Sequence, residues 1–301
     1  MPAKWDAPDM PDDGPGFFTG KHVAIFGLGL MGGSLAMALN GRCSRLTGID
    51  PDIHAVHSAL KRGLVSQAAV EPGHLLEDAD VIILAAPVNA ILDILRNLNA
   101  VCRNDAVVLD FGSTKRAVCR AMDELPKRFD PIGCHPMCGK ETCGLDFADE
   151  TIFNGAAFAI VPLTRTGEKA RKTAEVLSSL LGSHPVLIDA ETHDRFVAAS
   201  SHLPFLVSNT LAFCTPVEAA PLTSTGFAST TRLAVSSPAM MMDVLETNKE
   251  VILEALHAFI SRLTLIEELL MKDDFDHLRS ELNAGAENRR QIDIAKRGIV
   301  L

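Results

Sequence analysis

Two hydrophobic patterns divide the chain. Up to about residue 190, short apolar runs alternate with stretches of helical spacing. Residues 22–29 (HVAIFGLG) are apolar and break at glycine, as a buried parallel strand does, and 32–40 reads as a helix stopped by Gly41. A second strand is expected at 46–50 (LTGID), then a helix that starts with Pro51 and stops at Gly63. Strands follow at 80–87 (DVIILAAP) and 106–112 (AVVLDFG), with a helical pattern at 88–98 between them. The runs 131–136 (PIGCHP) and 156–162 (AAFAIVP) continue the series, and a helix at 167–182 and a strand at 185–189 close it. Strands alternating with helices predict a doubly wound α/β sheet with crossover connections.

After Asp189 the pattern changes to helical spacing throughout, as in 191–214 and 238–271. In the second stretch Met240, Met241, Val244, Leu245, Ile252, Leu256, Phe259, Leu263 and Leu270 cover more than one helix face. A helix apolar on several sides must be buried on several sides. A helical half of about 110 residues buries too little surface for that alone, which predicts a homodimer built from these helices. The expected organisation is a disordered lead-in at 1–20, a sheet domain at 21–190, and an all-α dimerisation domain at 191–301.

Composition narrows the class. Hydrophobic residues make up 47 % and charged residues 22 %, which excludes a disordered or fibrous chain. The apolar run 81–88 falls far short of the about 20 residues that span a bilayer, so no membrane association is expected. The first twenty residues are rich in Asp, Pro and Gly and have no apolar core, unlike a signal peptide. Lys plus Arg is 28 against 38 Asp plus Glu, a net charge of −10 that would repel a phosphate backbone, so nucleic acid is not an expected partner. Seven cysteines, an odd number without an export signal, read as reduced thiols in a cytoplasmic protein.

Chemistry enters at 27–32 (GLGLMG), a G-x-G-x-x-G at a strand-to-helix junction. Gly27 allows the tight turn, Gly29 lets a pyrophosphate reach the backbone, and Gly32 lets helix and strand pack closely; Leu28, Leu30 and Met31 complete the loop. Asp50, at the tip of the second strand, is the acidic residue that confirms such a fingerprint. It would accept hydrogen bonds from the adenosine ribose and repel a 2′-phosphate, favouring NAD; alternatively it caps the helix beginning at Pro51. The half-chain is therefore a Rossmann-type domain. Two further candidates lie at carboxyl ends of strands, where open sheets place their chemistry. Ser113, in GSTK, could serve catalysis or cap the following helix. His135, in HPMCGKE, could take a proton from a substrate hydroxyl or be a satisfied core histidine. Cys134, His135, Cys138 and Cys143 lack the paired spacing of a structural zinc site, and no metal is expected.

The motifs GLGLMGGS, DFGSTK, HPMCGKE, SHLP and TRLA, followed by a P-x-M helix running into ETNKE, together resemble the prephenate and arogenate dehydrogenases of tyrosine biosynthesis over roughly residues 22–290. The resemblance implies NAD-dependent oxidative decarboxylation of a cyclohexadienyl acid to 4-hydroxyphenylpyruvate or tyrosine. It makes His135 the acceptor and general base for the ring hydroxyl, and Ser113 the group holding that hydroxyl and the imidazole in register. Arg232 would bind the ring carboxylate, Glu141 would gate by pairing with that arginine, and His202 would line the pocket. Two positions depart from the family pattern: Phe205 stands where a histidine is common, and Ser229 where an acidic residue is common. The missing histidine points to arogenate, to both substrates, or to an amino-substituted relative.

Two other readings are weighed. The β-hydroxyacid dehydrogenases also join a dinucleotide domain to a helical one, but they use a lysine on the first helix of the second domain, and 191–214 contains none. A non-catalytic NAD-sensing protein would have no need of Ser113, His135 and Arg232 together.

Overall fold

In the computed structural model, residues 16–299 are described, with side chains as far as 296. The elements run β1 (His22–Phe26), α1 (Leu30–Leu39), β2 (Arg45–Ile49), α2 (Ile53–Lys61), β3 (Gln67–Ala69), β4 (Val81–Leu84), α3 (Val88–Val101), β5 (Ala106–Asp110), α4 (Arg116–Asp123), β6 (Phe129–Pro136), β7 (Ala157–Pro162), α5 (Glu168–Leu180) and β8 (His184–Leu187). Helices follow: α6 (Ala190–Val197), α7 (Leu203–Cys214), α8 (Thr225–Thr231), α9 (Pro238–Thr247), α10 (Lys249–Met271) and α11 (Phe275–Ile299). The described residues form two compact units, one ending at Lys249 and the other beginning at Glu250.

The eight strands form one sheet in the order β3-β2-β1-β4-β5-β6-β7-β8. Alternate residues of β1 feed opposite sides: Val23 and Ile25 join a core with Leu35 and Leu39 of α1 and Ala174 and Leu177 of α5, while Ala24 and Phe26 join one with Ile91 and Leu95 of α3 and Met122 of α4. A strand covered on both faces can be apolar throughout, which is why β1, β4 and β5 read as unbroken hydrophobic runs. The order reverses between β2-β1 and β4-β5, so the crevice of the sheet opens beyond the carboxyl ends of β1 and β4.

The structure amends several expectations. β6 and β7 pair antiparallel, because 137–156 forms a loop with two short 3-10 turns rather than a crossover helix. β3 is an additional strand of three residues at the sheet edge. The strands end earlier than the apolar runs, at Phe26 and Leu84, since the following residues are turns. Of the expected lead-in, residues 1–15 lie outside the described residues, but 16–20 form a turn that buries Phe18 to 1 % exposure in the core. The stretch Ala190–Cys214 is long and apolar enough to cross a membrane by length and composition, which no single apolar run indicated. Its His193 and Asp194 are bonded to β6 and α4, so here it packs as part of the folded unit. Pro204 lacks the N–H needed to continue the α6 ladder, and the helix widens into a π turn at Ala198–His202, with Leu203 N–H bonded back to Ala198 O.

Candidate active site

The chain leaves β1 through Gly27, whose φ of +90° is a conformation L side chains rarely adopt. A Cβ on Gly27 would lie 2.3 Å from the Ala85 carbonyl oxygen, and one on Gly32 would lie 1.7 Å from that of Gly27. Close backbone approach therefore imposes both glycines. Gly29 differs, because a Cβ there would meet nothing within 4 Å. That open space is where a pyrophosphate reaches the backbone in a dinucleotide site. α1 begins immediately after it, with no side chain capping its N-terminus and no acidic residue in its first turn, leaving the amide end available to an anion. Leu28 is buried in the core, while Leu30 and Met31 are half-buried on the turn.

Asp50, just past β2, accepts the Leu28 N–H at 2.6 Å and the Asp52 N–H at 2.8 Å. It pins the glycine turn and remains half-exposed at the strand tip. The cap of α2 is Asp52, which accepts the His54 N–H at 2.9 Å, so the helix-cap alternative for Asp50 does not hold. This cradle fits NAD.

The DFGSTK segment carries a second piece of architecture. Asp110 and Lys115 are fully buried and form an ion pair; Lys115 Nζ also donates to the Cys134 carbonyl at 2.7 Å. Asp110 accepts the Gly112 N–H at 3.0 Å and the Cys134 N–H at 3.2 Å. Burial pushes the Asp110 carboxyl up, while Lys115 and the two amides pull it back. These bonds tie the end of β5 to the residue preceding His135. Ser113 lies half-buried in this turn, but it does not cap α4. That work falls to Asp194 of α6, whose carboxylate accepts the Lys115 N–H at 2.7 Å and the Arg116 N–H at 2.9 Å.

His135 stands near the end of β6, half-buried, with Nδ1 3.0 Å from His193 Nε2. His193 Nδ1 is in turn 2.8 Å from Asp194 Oδ1. Burial, and then the neighbouring His193, Lys115 and His202, hold the His135 imidazole well below the usual histidine range, so it is neutral at pH 7. Sequence reasoning missed both His193 and Asp194. The available signal was a titratable pair in the first turns of a helix capped by Asp189, but no spacing connects them to residue 135.

The remaining candidates are distributed as follows. Arg232, 61 % exposed, forms an ion pair with Glu141 in the loop after β6. His202 is buried in the π turn with Nδ1 3.4 Å from Asn248 Nδ2, and burial lowers its pKa to about 4. Phe205 packs with Met241 and Val244 in a small apolar cluster. Ser229 is exposed and donates to the Gly226 carbonyl. No cluster of three or more metal-ligating side chains occurs among the described residues, and all seven cysteines are free thiols.

The structure thus holds a dinucleotide cradle, a neutral imidazole hydrogen-bonded to a second imidazole, and a carboxylate-paired arginine. Comparison with known proteins agrees with it. A family profile described as prephenate dehydrogenase, nucleotide-binding domain, matches residues 35–187, and one described as prephenate dehydrogenase, dimerization domain, matches 189–284. The prephenate dehydrogenase of Bacillus subtilis (strain 168) is 30 % identical over 288 residues, covering 92 % of this chain and 78 % of that protein. The crystal structure of Aquifex aeolicus prephenate dehydrogenase with hydroxyphenyl propionate and NAD+ superposes with a TM-score of 0.82 at 27 % identity, covering 90 % of this chain and 98 % of that one. Synechocystis arogenate dehydrogenase gives a TM-score of 0.76 at 28 % identity, with coverage of 90 % and 99 %. On both the sequence and the fold, the chain belongs to the prephenate dehydrogenase family.

Proposed function

We propose that this protein carries out NAD-dependent oxidative decarboxylation of prephenate, arogenate or both, with His135 as the general base. The observation that carries the reading is the neutral His135 imidazole at the carboxyl end of β6, on the same sheet edge as the glycine turn. Held at Gly27, Gly29, Gly32 and Asp50, NAD would supply the hydride acceptor for the carbinol carbon of the ring. His135 accepts the ring hydroxyl proton as carbonyl character develops, and returns it to the oxygen as carbon dioxide leaves and the ring becomes aromatic. The overall balance is substrate plus NAD+ giving product, carbon dioxide and NADH, with no net proton released at that oxygen. Ser113 orients the hydroxyl and the imidazole. Arg232 exchanges Glu141 for the ring carboxylate, a pairing suited to the guanidinium fork, and His202 shapes the wall behind the imidazole.

Phe205 favours arogenate or an amino-substituted relative, because its ring sits in an apolar cluster and offers no imidazole to a pyruvyl carboxylate. We assign residues 21–190 to the cofactor domain and the helices from 191 onward to the helical domain. The division is by role, since α6 to α9 belong to the same compact unit as the sheet, which ends at Lys249. The protein acts as a homodimer in the cytoplasm: Ile260, Leu263 and Leu270 of α10 are each about half exposed, as expected of a face covered by a second copy. NADH formation with prephenate and, separately, with arogenate tests the reading. Turnover of either supports it, and faster turnover of prephenate contradicts the preference assigned to Phe205. NAD binding with no turnover of either would mark a sensor and overturn it.

A further inference from the structure

We propose that Asp194 and His193 act as positioning residues that fix the tautomer of His135, leaving its Nε2 unprotonated and turned to the substrate. The inference rests on the assignment of His135 as base and adds what makes the imidazole competent for that role. The three groups form an unbroken chain: Asp194 Oδ1 to His193 Nδ1 at 2.8 Å, and His193 Nε2 to His135 Nδ1 at 3.0 Å. A carboxylate only accepts hydrogen bonds, so the ring proton of His193 sits on Nδ1. With that proton committed to Asp194, His193 offers its Nε2 lone pair, and His135 must donate from Nδ1. His135 Nε2 is then the free lone pair.

The geometry leaves little freedom for another arrangement. His193 and Asp194 are 2 % and 0 % exposed, so water does not compete for these bonds. Asp194 is itself held, because its carboxylate also caps α4 through the Lys115 and Arg116 amides, and its carbonyl accepts Asn248 Nδ2 at 2.8 Å. The chain ends at this buried carboxylate. It therefore steadies the charge of the imidazolium while the proton is on His135, and offers that proton no exit to solvent through His193 before it is returned to the product oxygen. An aspartate orienting a catalytic imidazole through Nδ1 follows the same logic as a Ser-His-Asp triad, here with a second imidazole interposed.

The direct test is ¹⁵N NMR of ring-labelled histidines, read together with steady-state kinetics. The native enzyme should show His135 as the Nδ1–H tautomer. Asp194→Asn presents an amide N–H to His193, reverses both rings and should show His135 as the Nε2–H tautomer, with kcat down about a hundredfold or more and KM for NAD unchanged. Because Asp194 also caps α4, two variants that spare the cap provide an independent check. His193→Leu removes the acceptor and should lower kcat about a hundredfold, whereas His193→Gln, whose Oε1 can accept the Nδ1–H, should keep kcat within about tenfold of native. An Nε2–H tautomer in the native enzyme, or equal kcat for the Leu and Gln variants, overturns the proposal. Full activity in His135→Asn would instead overturn His135 as the base, and the tautomer measurement would still decide the relay.

Discussion

Replacing Lys115 with methionine isolates the buried bond network that ties β5 to the strand carrying His135. Methionine keeps most of the side-chain volume but removes the ammonium that pairs with Asp110 and donates to the Cys134 carbonyl. Both ionic groups have 0 % exposure, so water cannot replace the lost partner. Asp110 keeps only the Gly112 and Cys134 amides. Breaking a buried pair from one side costs about 3–5 kcal/mol, a large part of the about 5–15 kcal/mol that stabilises a typical domain. Urea unfolding followed by circular dichroism should show this loss as a lower midpoint. The loss also has a defined pH dependence. Burial already raises the Asp110 carboxyl, and without Lys115 it rises further. A group whose pKa is raised on folding stabilises below its unfolded value and loses that contribution as pH climbs through the folded one. Relative to the native protein, the Lys115→Met variant should therefore lose least near pH 4 and progressively more as pH rises. Changing both partners, in Asp110→Asn/Lys115→Met, should recover most of the loss because no charge is left unpaired. A native urea midpoint for the single variant, or a deficit relative to native that shrinks as pH rises, would refute the account.

Three further outcomes are expected. Gly29→Ala has room for its methyl group in the free protein, so it should fold normally while raising KM for NAD at least tenfold, on the order of the loss expected when a pyrophosphate is pushed off the backbone; Gly32→Ala, which meets the Gly27 carbonyl, should fail to fold stably. Arg232→Ala should leave the urea midpoint nearly unchanged, since an exposed ion pair adds little stability, yet raise substrate KM; equal loss of stability and binding would contradict a binding role. The native urea midpoint should fall as pH drops from about 6.5 toward 4, because His202 is held at about 4 by burial and a depressed histidine stabilises only above its unfolded pKa; a His202→Phe variant should show a shallower fall over that window.

Much of the fold was legible because the sheet is covered on both faces. That geometry turns β1, β4 and β5 into unbroken apolar runs whose ends mark the site, and Gly27 and Gly32 are dictated by contacts that admit no Cβ. β3 escaped notice because Gln67–Ala69 is too short and too exposed to carry a pattern. The antiparallel β6–β7 pair depends on a loop where a helix was the simplest expectation. The candidates Ser113 and His135 could be picked out from their positions after strands. The support beneath them could not. Asp110 and Lys115 stood within a quoted motif, but their burial is a tertiary fact, and Asp194 caps a helix 78 residues away in sequence. His193 reaches His135 only because α6 folds back beside α4, which local periodicity does not encode.

The most direct test of the central claim compares the native enzyme with His135→Asn, measuring NADH formation with arogenate and prephenate alongside NAD affinity by calorimetry. The account predicts that NAD binds both proteins equally while turnover in the variant falls about 10²–10⁴-fold, the range typical of a lost general base. A variant that binds NAD and keeps near-native turnover would remove His135 from the chemistry, and with it the proposed mechanism.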